Sequence, residues 1–97
     1  MIGVLFVTRH RVPVSEAAAF ADAAQVAVDA LAARPGFVSA QVGRCLDDAE
    51  LWVLTSTWAT IGAGRRAMSS GETRVALMPV MVSALDEPSA FDIAVPR

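Results

Sequence analysis

FVSAQVGRCLDDAELWVLTSTW, residues 37–58, is the stretch on which the fold turns. Its first part, FVSAQVGRCL (37–46), reads as a strand with Val38, Ala40 and Val42 on one face. DDAE (47–50) is turn chemistry, and LWVLTSTW (51–58) is a further strand. A link of only four residues makes the two an antiparallel hairpin.

Downstream, Thr60 is placed to cap a helix through about Met68, although Gly62 and Gly64 each weaken it by roughly 1 kcal/mol relative to alanine. SSG breaks that helix. A second helical piece follows from about Glu72 to Leu77, with an irregular turn after Pro79. DEPS (86–89) is a loop, and AFDIAV (90–95) is a closing strand.

Upstream, a strand is expected over about Ile2 to His10. Ile2, Val4, Phe6, Thr8 and His10 point one way, and Leu5, Val7, Arg9 and Arg11 the other. Ser15 and Glu16 look like a helix start, a hydroxyl cap followed by an acid near the positive dipole end. Phe20, Ala24, Ala27, Val28 and Leu31 then share one helix face, opposite Glu16, Asp22, Gln25 and Asp29. ARPG (33–36) ends the helix, because Pro35 disfavours α geometry at Arg34 and Gly36 tolerates a left-handed exit.

The order is βαββαβ, a ferredoxin-like α+β arrangement in one domain over residues 1–97: a four-stranded antiparallel sheet with helices on one face. The other sheet face is left bare, yet strands one to three carry apolar residues on both sides. The composition agrees: 55% of the 97 residues are hydrophobic, above the roughly 45–50% of ordinary domains, and mean hydropathy is +0.49. The surplus calls for a second burial surface. VALMPVMVSAL (75–85) is too short for a membrane span and contains Pro79, and no signal peptide is read at the start. A homodimer joined through its sheets is therefore expected.

Charge narrows the function. Net charge is −2, and the eight basic residues are all arginine, scattered from Arg9 to Arg97. No basic stripe points to nucleic acid. There is no Lys, Tyr or Asn and a single His, so Schiff-base lysines and tyrosine acids are excluded. No ligand spacing for a metal occurs, nor a GxGxxG or P-loop. Cys45, the only cysteine, forms no intramolecular disulfide and suits a reducing, cytoplasmic setting.

RPGFVSAQVGR (34–44), WVLTSTWATIGAGRRAMSS (52–70) and LDEPSAFDI (85–93), in this order and at these distances, resemble the antibiotic biosynthesis monooxygenase family of dimeric α/β barrels. The resemblance covers nearly the whole chain. It implies a fold in which each sheet and its helices enclose a pocket, and an activity that oxidises phenolic or anthrone-type aromatics without metal, flavin or other cofactor. It also implies that Trp58, closing the third strand, is a pocket wall, with Leu54 and Ser56 beside it by parity and Phe6 and Thr8 from the first strand. Thr8 stands where haem-degrading relatives carry an asparagine. The best-understood members have an asparagine where this chain has Leu54 and a tyrosine where it has Gly64. The haem-ligating histidine of other relatives falls near Leu77, which cannot ligate.

The expected catalytic residues are His10, Trp58 and Arg65. His10 alone has an ordinary pKa near neutrality and would take a proton from a phenol. Its bland reading is a surface histidine at a strand end, held neutral by Arg9 and Arg11. Either Arg65 or Arg66 would stabilise a phenolate or peroxide, helical spacing letting only one face inward. Phe6, Thr8, Phe20, Leu54, Ser56 and Met68 would bind the aromatic substrate, with Met78, Met81 and Leu31 as further lining. For Trp58, Phe20 and the methionines the plain alternative is core packing. The competing function is a non-catalytic ligand-binding or accessory dimer, or a polyketide cyclase-like enzyme.

Overall fold

A computed structural model describes residues 3–97. The elements are β1 (Val4–Arg11), a 3-10 turn (Val14–Glu16), α1 (Ala17–Ala32), β2 (Phe37–Arg44), β3 (Leu51–Trp58), α2 (Ile61–Ser69), α3 (Gly71–Met81) and β4 (Ala90–Asp92). One sheet runs β2-β3-β1-β4, every pairing antiparallel. This is the ferredoxin-like βαββαβ fold. Ile2, expected to begin the first strand, lies outside the described residues.

The two long strands at the centre set the geometry. β1 and β3 pair over their full length, with Val4 opposite Trp58, Phe6 opposite Ser56, Thr8 opposite Leu54 and His10 opposite Trp52. Alternation puts all eight side chains on the face that the helices cover. Two apolar clusters hold the layers together. One joins Val12, Phe20, Ala24, Ala27, Leu54 and Val80. The other joins Val4, Leu31, Trp58, Ala63 and Ala67.

Four local expectations are corrected. Ser15 does not cap α1: the chain passes through a 3-10 turn, Glu16 N–H bonding Pro13 O at 2.8 Å, and α1 begins at Ala17 with no side-chain cap. In β2 a register shift between Phe37 and Ser39 makes Phe37 the inward residue. Val38, expected beside Ala40 and Val42, is displaced by that bulge and stays 59% exposed. β4 stops at Asp92 instead of Val95. Finally, α3 continues through Pro79 to Met81. A proline in the last turn forfeits one hydrogen bond to the preceding turn, a loss the packing of Val80, fully buried, outweighs.

Other signals hold. Thr60 caps α2, its Oγ1 accepting from Ala63 N–H at 3.0 Å. Gly36 takes φ +85°, the left-handed exit after α1, with Ala63 packed so close that a side chain would collide. Among the described residues no helix is long and apolar enough to cross a membrane.

Candidate functional site

α3 packs onto the fold through Thr73 and Val80, both fully buried. Arg74, Leu77, Met78 and Met81, spaced i, i+3, i+4 and i+7, run along its edge, with Met78 63% and Met81 41% exposed. Together with the strands they border a cavity of about 490 Å³. Its floor is Phe6 and Thr8 of β1 with Leu54 and Ser56 of β3. Leu31 of α1, Met68 of α2 and Ser89 before β4 complete it. The wall is almost wholly apolar, broken by three hydroxyls and one guanidinium, Arg74.

Two of the hydroxyls are tied to residues behind the wall. Ser56 Oγ accepts from Trp58 Nε1–H at 2.9 Å, which leaves the Ser56 hydroxyl hydrogen free for the cavity. Trp58 itself is fully buried, with its ring edge-on to Phe37 at 5.5 Å. Thr8 Oγ1 lies 2.8 Å from His10 Nε2. On the far side of the ring, His10 Nδ1 is 3.1 Å from Val80 O and 3.2 Å from Ser83 Oγ. A carbonyl can only accept, so the proton of neutral His10 is assigned to Nδ1, and Nε2 accepts from the Thr8 hydroxyl.

The sequence-predicted residues thus divide. Phe6, Thr8, Leu54, Ser56 and Met68 line the cavity together. Trp58 and His10 stand one residue behind it, reaching it through Ser56 and Thr8. Phe20 is core: its ring lies 5.3 Å from His10 and 5.1 Å from Trp52. Arg65 lies on a shallow neighbouring recess with Phe6, Met68, Ser69 and Arg74, while Arg66 folds back over Gly62. The Phe6 and Trp58 rings fill the space above Gly64.

His10 is no surface residue. It is fully buried, and burial pulls its pKa below the ordinary value, a shift partly offset by the Val80 carbonyl. Its arginine neighbours are not the cause. Alternation turns Arg9 and Arg11 to the opposite sheet face, where Arg9 pairs with Glu87 at 2.6 Å and Arg11 with Asp48 at 2.8 Å.

Arg74, Leu77 and Ser89 were not named as lining. For Arg74 and Leu77 the signal was the 74/77/78/81 spacing, hidden by reading Pro79 as a stop. Among the described residues no group of three or more His, Cys, Asp or Glu could hold a metal ion.

With this geometry in place, comparison with known proteins is informative. The family model described as "Antibiotic biosynthesis monooxygenase" matches residues 3–77. No curated protein sequence matches. Among solved structures, SnoaB, a cofactor-independent oxygenase from Streptomyces nogalater, superposes with a TM-score of 0.79 at 20% identity, covering 100% of this chain and 96% of that one. A conserved protein of unknown function from Bacteroides thetaiotaomicron gives 0.82 at 10% identity, over 95% and 98%. A conserved protein from Methanosarcina mazei gives 0.78 at 14%, over 95% and 91%. At these identities the likeness establishes the fold.

Proposed function

The chain belongs to the antibiotic biosynthesis monooxygenase family, and from that premise we propose that it is a cofactor-independent monooxygenase acting on a flat phenolic or anthrone-type aromatic held in the cavity beneath α3. The observation that carries this reading is the cavity's shape and lining. Its volume of about 490 Å³ falls in the roughly 300–1,000 Å³ range of small-molecule sites. Phe6, Leu54, Leu77 and the three methionines offer the apolar, adaptable walls a fused ring system needs.

The polar groups suit oxygens at the ring's edge. Ser56, accepting from Trp58, donates to a ligand oxygen, while Thr8, donating to His10, accepts from a ligand O–H. Thr8 and Ser56 are diagonal neighbours on adjacent antiparallel strands, roughly 7–8 Å apart at the backbone, a span one fused aromatic can bridge. Arg74 supplies the positive charge that a phenolate or peroxide anion requires, the role assigned from sequence to Arg65. In the reaction itself an anthrone methylene and O2 give the quinone carbonyl and one water, so the substrate supplies all four electrons that reduce the oxygen.

The assembly proposed with it is a homodimer through the uncovered sheet face, where Leu5, Val7 and Val53 are only half-buried and Phe91 is 45% exposed. Packing of two such faces removes that apolar surface from water. Sedimentation at micromolar concentration should give a dimer; a stable monomer contradicts it.

Oxygen uptake with a panel of reduced anthrones and naphthols is the test of activity. One O2 consumed per quinone formed is expected, with no flavin or added metal. A second reading, a non-catalytic ligand-binding dimer, draws on the fact that no histidine, cysteine or carboxylate lines the cavity. Tight binding of the same aromatics without oxygen uptake establishes that alternative and overturns the oxygenase.

A further inference from the structure

His10 stands between two recesses. On one side Nε2 meets Thr8 Oγ1 at 2.8 Å, and Thr8 lines the cavity. On the other, Nδ1 lies 3.2 Å from Ser83 Oγ, and Ser83 lines a separate outer recess with Arg11, Glu16 and Phe20. The ring is fixed between them. Phe20 packs on it from α1, Val80 O holds Nδ1–H from α3, and the Ser83 hydroxyl donates to the same carbonyl at 2.9 Å. A fully buried histidine with every nitrogen committed and both neighbours hydroxylic is more order than packing requires.

We propose that Thr8, His10 and Ser83 form a proton relay that takes the proton of a ligand hydroxyl out of the cavity and exchanges it with water in the outer recess. The inference rests on the aromatic-site reading above and goes beyond it by naming the base and its route. In the step, the ligand O–H bond breaks as a bond forms from its hydrogen to Thr8 Oγ1. The Thr8 hydroxyl hydrogen passes to His10 Nε2 in the same movement, and the electron pair stays on the ligand oxygen. The resulting imidazolium gives its Nδ1 hydrogen to Ser83 Oγ as the Ser83 hydroxyl hydrogen leaves for a water in the outer recess, so one proton has crossed and the ring is left neutral, protonated at Nε2.

Thr8 is then the catalytic residue, since it touches the ligand, and His10 acts through it. The charged groups around the relay are paired or exposed. Arg9 projects from the other face of β1 into its pair with Glu87, while Arg11, paired with Asp48, and Glu16, exposed, both border the outer recess. Burial keeps His10 neutral at pH 7 and so able to accept.

Two readings on the intact protein decide the matter. The first needs no ligand: imidazole 15N NMR of the free protein. A single tautomer protonated at Nδ1 is expected, with the Nε2 resonance displaced in Thr8→Val and restored in Thr8→Ser. Mixed tautomers, or an Nε2 signal indifferent to Thr8→Val, overturn the relay. The second follows the absorbance of bound 2-naphthol. Loss of the relay in Thr8→Val or His10→Gln should raise the bound naphthol's pKa by a unit or more, an at least about tenfold fall in ionised fraction, while Thr8→Ser keeps the wild-type value. Equal ionisation in wild type and Thr8→Val overturns the relay. Failure of the wild type to bind any phenol at all sinks the aromatic-site reading instead, with the NMR result still judging the relay.

Discussion

Two helices lie on the same face of the same sheet and treat it differently. α2 buries Ala63, Gly64 and Ala67, among the smallest side chains there are, and settles directly onto Trp58 and Phe6. α3 is anchored through Thr73 and Val80 and carries the longer Arg74, Leu77, Met78 and Met81 along its edge, where they border a cavity. The strands beneath are continuous across both regions, so side-chain size on the helix decides which half of the face is core and which is a site. Trp58 belongs to the closed half and serves the open half only through Ser56. Dense packing under α2 fixes the floor on which the cavity under α3 depends.

The sharpest way to break this division is Trp58→Ala. Truncating a fully buried tryptophan should cost about 3–5 kcal/mol, seen as a lowered denaturant midpoint, whereas a loss below 1 kcal/mol means that the region is not core. Gly64→Ala tests the contact between the halves. The added methyl collides with the Phe6 ring and comes 3.3 Å from Trp58 Cγ, so a destabilisation of about 1–3 kcal/mol is expected. Relief by a swing of Phe6 into the cavity would show as weakened aromatic binding in titration calorimetry.

Thr73, on the open side, gives an effect of opposite sign. Its hydroxyl is buried with no partner, so Thr73→Val should raise stability by about 1 kcal/mol; a clear loss would mean that the hydroxyl has a role. Acid reveals the mildest effect. His10 has a lower pKa folded than its ordinary 6.5, so the unfolded chain binds more protons across that interval. Stability should decline as pH falls below about 6.5 and level off beneath the native pKa. His10→Gln should abolish that slope in urea titrations, while the losses near pH 4, from Asp48 and Glu87 whose pairing lowers their pKa, persist.

Much of this was legible in the chain itself. Alternation along β1 and β3 put Phe6, Thr8, Leu54 and Ser56 on one face correctly, because period-two geometry survives burial. The turn residues of DDAE gave the hairpin, although β2 ends at Arg44 and not at the expected Leu46, and Thr60 gave the α2 cap. What failed was local chemistry subject to tertiary override. Pro79 reads as a stop in isolation, yet α3 needs Met81 to close its stripe, and the arginine that faces the cavity was lost with it. Neighbours in sequence misled at His10: Arg9 and Arg11 flank it along the chain and lie across the sheet from it in space. Whether a strand aromatic lines a cavity or backs it depends on the helix above, which no periodicity in the strand can disclose.

The most direct test is a spectrum of the protein labelled at its methionine methyls, titrated with 1-naphthol. Met68, Met78 and Met81, which enter the cavity from two helices, should shift together in a single saturable step. Unmoved methyls alongside demonstrable binding, with the contacts mapping instead to Val7 and Phe91 on the uncovered sheet face, would contradict a site beneath α3.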